Sequence, residues 1–450
     1  MNPFLLGWLI CLLSVVASGQ APRSEITKWQ DGKLAAIALT YDDSTINQFR
    51  IALPLMNERG LPGTFFIITG QIPGSRNMPT FVGRAMMEIL RESATLPTDK
   101  ENVFERTSVL AYLGTIQRLP EVTASNLDPQ RSIRTGNFDA INTALEKLRA
   151  TGQTYAVDAI PYVPVRSEEA GLPRSDEPGG LTWGEFRRAA AQGHEFANHS
   201  VSHARLLALD GPNILYEVDK AQEDIKAQLG EKHTFSIEAP YGIDDARVSG
   251  VLIPRFQLTR NWISPADDFM DGIMRGNNRN PAASTKPYVQ WQRGPVAATT
   301  VAQMTGWIDT ALTNGTWLVL IIHGVEGIGY EPVPAERLRS SFDYIKAHED
   351  RLWVATYQDG GKYIRERMKS TVATIEVGPT IEVSVTHALD PKVYDLPLTA
   401  RTVVPSSWPS VRFSQGEAAR TIPVQQEGES SFVMYRIAPN IGPARLERGN

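Results

Sequence analysis

The sequence predicts an α/β fold, a parallel sheet with enough strands to close into a barrel, on three observations. Short apolar runs alternate with helix-period segments from about residue 33 to 365. Every residue with suggestive chemistry falls at the C-terminal end of a predicted strand. After about residue 370 the helical period gives way to a two-residue alternation, which predicts a small antiparallel β-sandwich over 371–450.

The elements follow in order. Residues 34–39 (LAAIAL) read as a buried strand that ends in Thr40-Tyr41-Asp42-Asp43, residues 51–59 as a helix, and 64–69 (TFFIIT) as the second strand. Gly60-Leu61-Pro62-Gly63 separates the last two. The rhythm resumes with a helix at 183–192, a strand at 195–198, a helix at 214–229, and strands at 234–238 and 256–262. It closes with a helix at 301–313, the strand WLVLII at 317–322, a helix at 335–347 and a strand at 352–355. Residues 70–181 interrupt it as a large insertion, with amphipathic stretches at 81–91 and 138–149 and a strand-like run at 155–165. Leaving the sheet where parallel barrels build their sites, this insertion either walls the cleft or packs as helical decoration. In the tail, Ile375, Val377, Ile381, Val383 and Val385 alternate with polar residues.

Composition narrows the function. A net charge of -5 without a basic patch gives no reason to expect nucleic acid or an anionic membrane as partner. The apolar run 4–16 is shorter than the roughly 20 residues of a membrane span, and Ala17-Ser18-Gly19 suits signal peptidase. The expectation is a signal peptide at 1–19 and a secreted or periplasmic protein; the absence of Lys or Arg before the run keeps an uncleaved anchor as the alternative. Cys11, the only cysteine, lies inside this segment, so the mature chain has no disulfide chemistry.

Three of the seven histidines fall within residues 194–203, HEFANHSVSH. His199 and His203, four apart, have the spacing that puts two imidazoles on one face of a helical turn, within reach of one metal ion. Asp42-Asp43 and His323, at the ends of other strands, converge with them at one mouth of a parallel barrel. An Asp and two His suit zinc, or another divalent metal, with positions left for water and a substrate oxygen. One carboxylate of the pair binds metal while the other accepts a proton from water, and His323 protonates a leaving atom, a set of parts for metal-assisted hydrolysis of an amide or ester. His194, on the preceding strand, is read as a packed residue outside the site. Trp183, Trp291 and Trp307 are read as packing residues as well.

The motifs TYDDS (40–44), HSVSH (199–203), EAPYG (238–242), RNW (260–262) and LIIHG (320–324) resemble, in order, those of the polysaccharide deacetylases of carbohydrate esterase family 4, which carry the NodB-homology domain. The resemblance covers 33–69 and about 181–360. It implies a distorted (β/α) barrel of about seven strands with Asp42 as general base, His323 as general acid, and Asp43, His199 and His203 as ligands of Zn2+. It further implies an oxyanion contact from the Tyr241 backbone N–H and a substrate groove lined by Pro240, Tyr241 and Trp262. The expected activity is removal of N-acetyl groups from an acetylated oligo- or polysaccharide. O-acetyl esterase, cyclic amide hydrolase and an impaired glycan-binding relative are the alternatives.

Two positions depart from the family pattern. Glu238 stands where the family has an Arg that orients the base, and Asn261 where it has an Asp. The reversed charges suggest that Arg260, on the adjacent strand, supplies the missing cation and pairs with Glu238.

Overall fold

Residues Ala35–Tyr41 are all buried, and that run is the centre of the barrel. The computed structural model describes residues 23–117, 127–152, 181–242, 245–260 and 268–450. The expected signal peptide, the strand-like run at 155–165, and Asn261 and Trp262 lie outside the described residues.

The described residues divide into two units, one of Lys28–Met368 with Leu389–Leu396 and one of 23–27 with Lys369–Ala388 and Pro397–Asn450. Strand β1 (Ser24–Ile26) belongs to the second unit; the first holds β2 (Ala35–Tyr41), β3 (Thr64–Ile67), β4 (Glu195–Asn198), β5 (Ser236–Ile237), β6 (Leu258–Thr259), β7 (Met270–Ile273), β8 (Tyr288–Arg293), β9 (Trp317–Ile322) and β10 (Leu352–Val354). These nine strands form one sheet in the order β6-β5-β4-β3-β2-β9-β8-β7, with β10 paired beside the N-terminal half of β2. The pairings are parallel, and the order ends at β6 and β7, so the barrel is distorted and open there among the described residues. It has more strands than the seven or so expected because β7 and β8 were not read from the sequence.

Side chains alternate across the strands, as a pleated sheet requires. Ile37, Leu39, Tyr41, Phe65, Ile67, Phe196, Leu318 and Leu320 face outward into a core shared with the surrounding helices. Ala36, Ala38, Phe66, Ala197, Val319 and Ile321 fill the interior. The helices after β2 and β3 are α1 (Leu53–Asn57), then α2 (Met86–Glu92), α3 (Val103–Gln117), α4 (Pro129–Thr135) and α5 (Asp139–Ala150) within the insertion. Next come α6 (Trp183–Ala191), α7 (Gly211–Leu229), α8 (Ala246–Leu252), α9 (Val301–Asn314), α10 (Ala335–Ala347) and α11 (Tyr357–Lys369). Trp183 and Trp291 are buried in the outer core and Trp307 packs partly against it.

The insertion helices have their own core, in which Ile89, Leu110, Leu113 and Leu145 pack with Ile214 and Val218 of α7 and Val248 of α8. Each such side chain, fully buried, contributes roughly 1.5–3 kcal/mol. Helix α11 contributes Tyr357, stacked on Trp317 with ring centroids 5.1 Å apart, to the interior core. Its Gly360 and Gly361 allow that approach: a Cβ would lie 2.7 Å from the Trp317 ring and 2.6 Å from Leu258.

The second unit holds two antiparallel sheets. One has the order β11 (Thr371–Val377), β12 (Thr380–Thr386), β18 (Ala444–Arg448), β14 (Ser410–Gln415), β15 (Ala418–Pro423); the other runs β1, β13 (Leu398–Val403), β17 (Ser430–Ile437), β16 (Gln425–Glu427). Rings from the two sheets meet at Phe413 and Tyr435, centroids 5.1 Å apart, as in a sandwich. Residues 389–396, which the sequence reading placed in the tail, belong to the barrel unit, where the Tyr394 hydroxyl donates to Gln257 at 2.9 Å and Lys362 pairs with Asp395.

Candidate metal and catalytic site

Parallel register builds the site. Tyr41 is paired with Ile322, so Asp42 and His323 emerge side by side, with the Asp42 N–H donating to the Ile322 carbonyl at 3.0 Å. Ile67 pairs with Asn198, Asn198 with Ile237, and Ile237 with Thr259. His199, Glu238 and Arg260 therefore follow one position beyond aligned pairs, in a ring at the C-terminal ends of the strands.

Asp43 turns away from the strand in the left-handed region, at φ 73, followed by Ser44 at φ 54. Its carboxylate Oδ1 lies 3.5 Å from His199 Nε2 and 3.2 Å from His203 Nε2, and one donor atom from each residue falls within 4.8 Å of the others. The His199 ring donates from Nδ1 to the Glu238 carbonyl at 2.8 Å, which leaves Nε2 with a free lone pair for a cation. Two imidazoles and a carboxylate around one point are the donor set of an open divalent site, so the residues fit such an ion.

The segment carrying the histidines differs from the expected helical turn. Ser200 and His203 have φ of 67 and 62, so residues 199–203 form a loop, and it is this loop that brings both imidazoles to Asp43. Its backbone N–H groups need partners, and Glu217 of α7 supplies them: its carboxylate accepts from the Val201 N–H at 3.0 Å, and from the Ser202 N–H at 2.8 Å and hydroxyl at 2.7 Å. The Tyr112 hydroxyl of α3 donates to the same carboxylate at 3.0 Å, so the insertion braces the histidine loop from behind. Sequence reasoning missed Glu217, which sits in an ordinary amphipathic helix pattern.

Asp42 is buried, 2% exposed, and gripped by Arg260. Arg260 Nη1 donates to Oδ1 at 2.7 Å and to the Thr40 hydroxyl at 3.0 Å, and Nη2 donates to Oδ2 at 2.5 Å. Arg260 Nε lies 3.1 Å from Glu238 Oε2, its guanidinium sits 4.7 Å over the Phe66 ring, and its carbonyl accepts from Gln292. The charge reversed at 238 thus meets its cation at 260. Burial alone would raise the Asp42 carboxyl, but the Arg260 charge and hydrogen bonds, with His323 and His199, hold it below the usual carboxylate range. Burial would also raise Asp43, but the His199 and His203 rings beside its carboxylate hold it well below the usual range.

His323 Nε2 lies 3.4 Å from Asp42 Oδ2. Burial lowers its pKa more than the Asp42 and Asp43 carboxylates raise it. Pro240 is buried, and Tyr241, at φ 69, puts its ring 53% exposed beside His203, centroids 4.7 Å apart. Of the predicted site residues the structure brings Asp42, Asp43, His199, His203, Pro240, Tyr241 and His323 to one mouth, whereas Trp262 lies outside the described residues. His194 stays out of this group: it is buried, accepting from the Gly63 N–H at 3.0 Å through Nδ1 and bonded to Asn57 at 2.8 Å through Nε2.

Residues 135–252, which include both histidines and the PYG turn, match the polysaccharide deacetylase family. The chain carries a polysaccharide deacetylase domain. The matched span begins inside the insertion, and Asp42, Asp43 and His323 lie beyond it. The chain is 32% identical to a chitooligosaccharide deacetylase of Sinorhizobium fredii over 97 residues, 20% of this chain and 45% of that protein. The chain is 21% identical to a gellan lyase of a Bacillus species over 274 residues, 58% of this chain and 11% of that protein. It therefore spans less than half the length of either curated relative. A family 4 carbohydrate esterase from Streptomyces lividans superposes with a TM-score of 0.31 at 10% identity, covering 71% of this chain and 92% of that one.

Proposed function

We propose that this protein is a metal-dependent carbohydrate deacetylase that hydrolyses N-acetyl groups of an amino-sugar glycan. The observation that carries this reading is the meeting of the Asp43–His199–His203 cluster with the Asp42–His323 pair at one barrel mouth. The similarity to a chitooligosaccharide deacetylase supports the substrate class. The segment at 1–19 supports export to the periplasm or the medium.

Asp43, His199 and His203 would hold the cation, zinc by the nature of the donors. Such an ion acidifies a neighbouring water and polarises an acyl oxygen. Asp42, kept ionised by Arg260, is the group that takes a proton from water, and burial stops it from wandering out of reach. His323, on the far side of Asp42 Oδ2, presents a donor to the leaving nitrogen. The Tyr241 backbone N–H supplies a hydrogen bond to the tetrahedral oxyanion, and the Tyr241 ring offers an exposed face to a sugar.

The test is acetate release by the mature protein from N-acetylglucosamine oligomers and from acetylated xylan in parallel, with zinc, with chelator, and with Asp42→Ala. Chelator-sensitive release from the oligomers, lost in the variant, is the expected result. Release from xylan alone makes the enzyme an O-acetyl esterase. Metal binding without any release makes the chain a glycan-binding relative or moves it to another amide.

A further inference from the structure

Arg275 follows β7, and its side chain crosses the backbone of Gly294 just past β8. A Cβ at 294 would lie 2.2 Å from Arg275 Nε and 2.8 Å from Cζ, so the bare glycine makes the passage. One end of the guanidinium, Nη2, donates to Glu331. The other, Nη1, lies 3.4 Å from Nδ1 of His323.

That contact has only one hydrogen-bonded form. A guanidinium has five N–H donors and no acceptor, so Nδ1 must offer its lone pair. The single proton of a neutral imidazole then sits on Nε2, the nitrogen 3.4 Å from Asp42 Oδ2. We propose that Arg275 is a positioning residue that fixes His323 in the Nε2–H tautomer, so that the ring presents a donor to the Asp42 side of the cleft. The inference rests on the proposed role of His323.

The polarity is the reverse of that in a Ser-His-Asp triad. There a carboxylate behind the ring accepts from Nδ1–H and makes the front nitrogen a base. Here a cation behind the ring makes the front nitrogen a hydrogen-bond donor to a developing oxyanion or to the lone pair of a leaving nitrogen, the transferred proton itself being the one Asp42 takes from water. The charged groups acting on His323 match this arrangement, with Asp42 and Asp43 as the anions and Arg260 and Arg275 as the cations. Glu331, at φ 45 in the loop after β9, holds the other end of Arg275 and keeps it aimed.

The test is nitrogen NMR of the full chain labelled with 15N-histidine at pH 8 with zinc present. Seven histidines give a tractable spectrum, and His323→Gln identifies the signal. The wild type is expected to show His323 protonated at Nε2 and bare at Nδ1. Gly294→Ala pushes Arg275 aside without changing any charge, and Arg275→Met removes the donor; both should turn His323 to the Nδ1–H form or a mixture. Arg275→Lys, again a donor without an acceptor, should restore the Nε2–H form. In acetate release from N-acetylglucosamine oligomers, the first two variants should lose about 10- to 100-fold in kcat with KM within about twofold, a share of what a positioned hydrogen-bond donor contributes in the transition state.

An Nδ1–H ring in the wild type, or an unchanged tautomer in the Ala and Met variants, overturns the proposal. If Arg275→Met fails to fold, Gly294→Ala decides. If the wild type releases no acetate, the deacetylase reading fails while the spectra still decide the tautomer.

Discussion

Asp42 and Asp43 share a peptide bond and little else. Asp42 continues the line of β2 into the barrel interior, where a guanidinium takes both its oxygens. Asp43 turns through φ 73 to the rim, where its partners are two imidazoles on a loop. The first carboxylate is fixed by a buried ion pair that exists without any ligand, and the second by groups that are themselves suited to share a cation. Adjacent acids acquire distinct chemistry from their surroundings, as in other two-carboxylate sites.

The largest expected effect comes from removing the partner of Asp42. Arg260→Ala leaves two buried carboxylates, Asp42 and Glu238, with no cation between them. Breaking a buried pair by losing one member costs about 3–5 kcal/mol, to be read by urea unfolding, and acetate release should fall at least about 100-fold. Unchanged activity in this variant would break the contrast, because it would mean that Asp42 works without its clamp.

Asp43→Asn probes the other side. Asn tolerates the left-handed backbone as well as Asp does, so the fold should keep its stability within about 1 kcal/mol. Zinc affinity, titrated against a chromophoric chelator, should drop at least about 100-fold, beyond the range for a residue that merely orients a ligand. A variant that unfolds while binding zinc normally would mean that the environments of the two acids had been assigned the wrong way round.

A third carboxylate extends the comparison to an acid whose hydrogen-bond partners, among the described residues, are neutral. Glu195 of β4 accepts from the Ser236 hydroxyl at 2.5 Å, the Thr64 hydroxyl at 2.8 Å and the Gln358 N–H at 2.9 Å, and burial pushes it up to about 7. Between the ordinary value of 4.5 and about 7 the folded chain keeps a proton that the unfolded chain releases. Stability therefore falls as pH rises through that window and levels off above it, by about 3 kcal/mol in all. Glu195→Gln should remove the Glu195 share of this slope and stabilise the chain at pH 8, while Glu366, which burial also pushes up to about 7, keeps its own share. A slope of undiminished size in the variant assigns it to another group.

Much of this site was legible because parallel register is simple. Once 317–322 and the run ending at Tyr41 are strands, Asp42 and His323 must be neighbours, and strand β9 was read to the residue. The departures at 238 and 261 also pointed to the ion pair between Glu238 and Arg260 that the structure contains. What escaped has physical causes. Strand β8 was missed because Gln290 and Gln292 look like a wetted face; they point inward, to the Tyr357 hydroxyl and the Arg260 carbonyl. Helix α11 was missed because Gly360-Gly361 reads as a break, whereas the pair is needed for contact with Trp317 and Leu258. The histidine spacing suggested a helical turn, but the backbone of 199–203 is set by tertiary bonds to Glu217, which no local pattern announces. Arg275 was equally silent, since its place depends on the missing side chain of Gly294.

The smallest effect expected, and the one that separates backbone from side chain at the rim, is at Tyr241. Its φ of 69 costs a residue with a Cβ on the order of 1–2 kcal/mol, and its ring is largely exposed, so little packing offsets that cost. Tyr241→Gly should leave stability unchanged or raise it by up to about 1 kcal/mol. The backbone N–H survives the change while the aromatic face beside His203 does not. If the ring serves as a platform for a sugar and the N–H as an oxyanion donor, KM should rise about 5- to 10-fold with kcat within about threefold. A fall in kcat at constant KM would instead mean that the ring, through its contact with His203, holds the metal-side loop in place; the Asp43 side would then depend on an exposed contact where the Asp42 side depends on a buried charge.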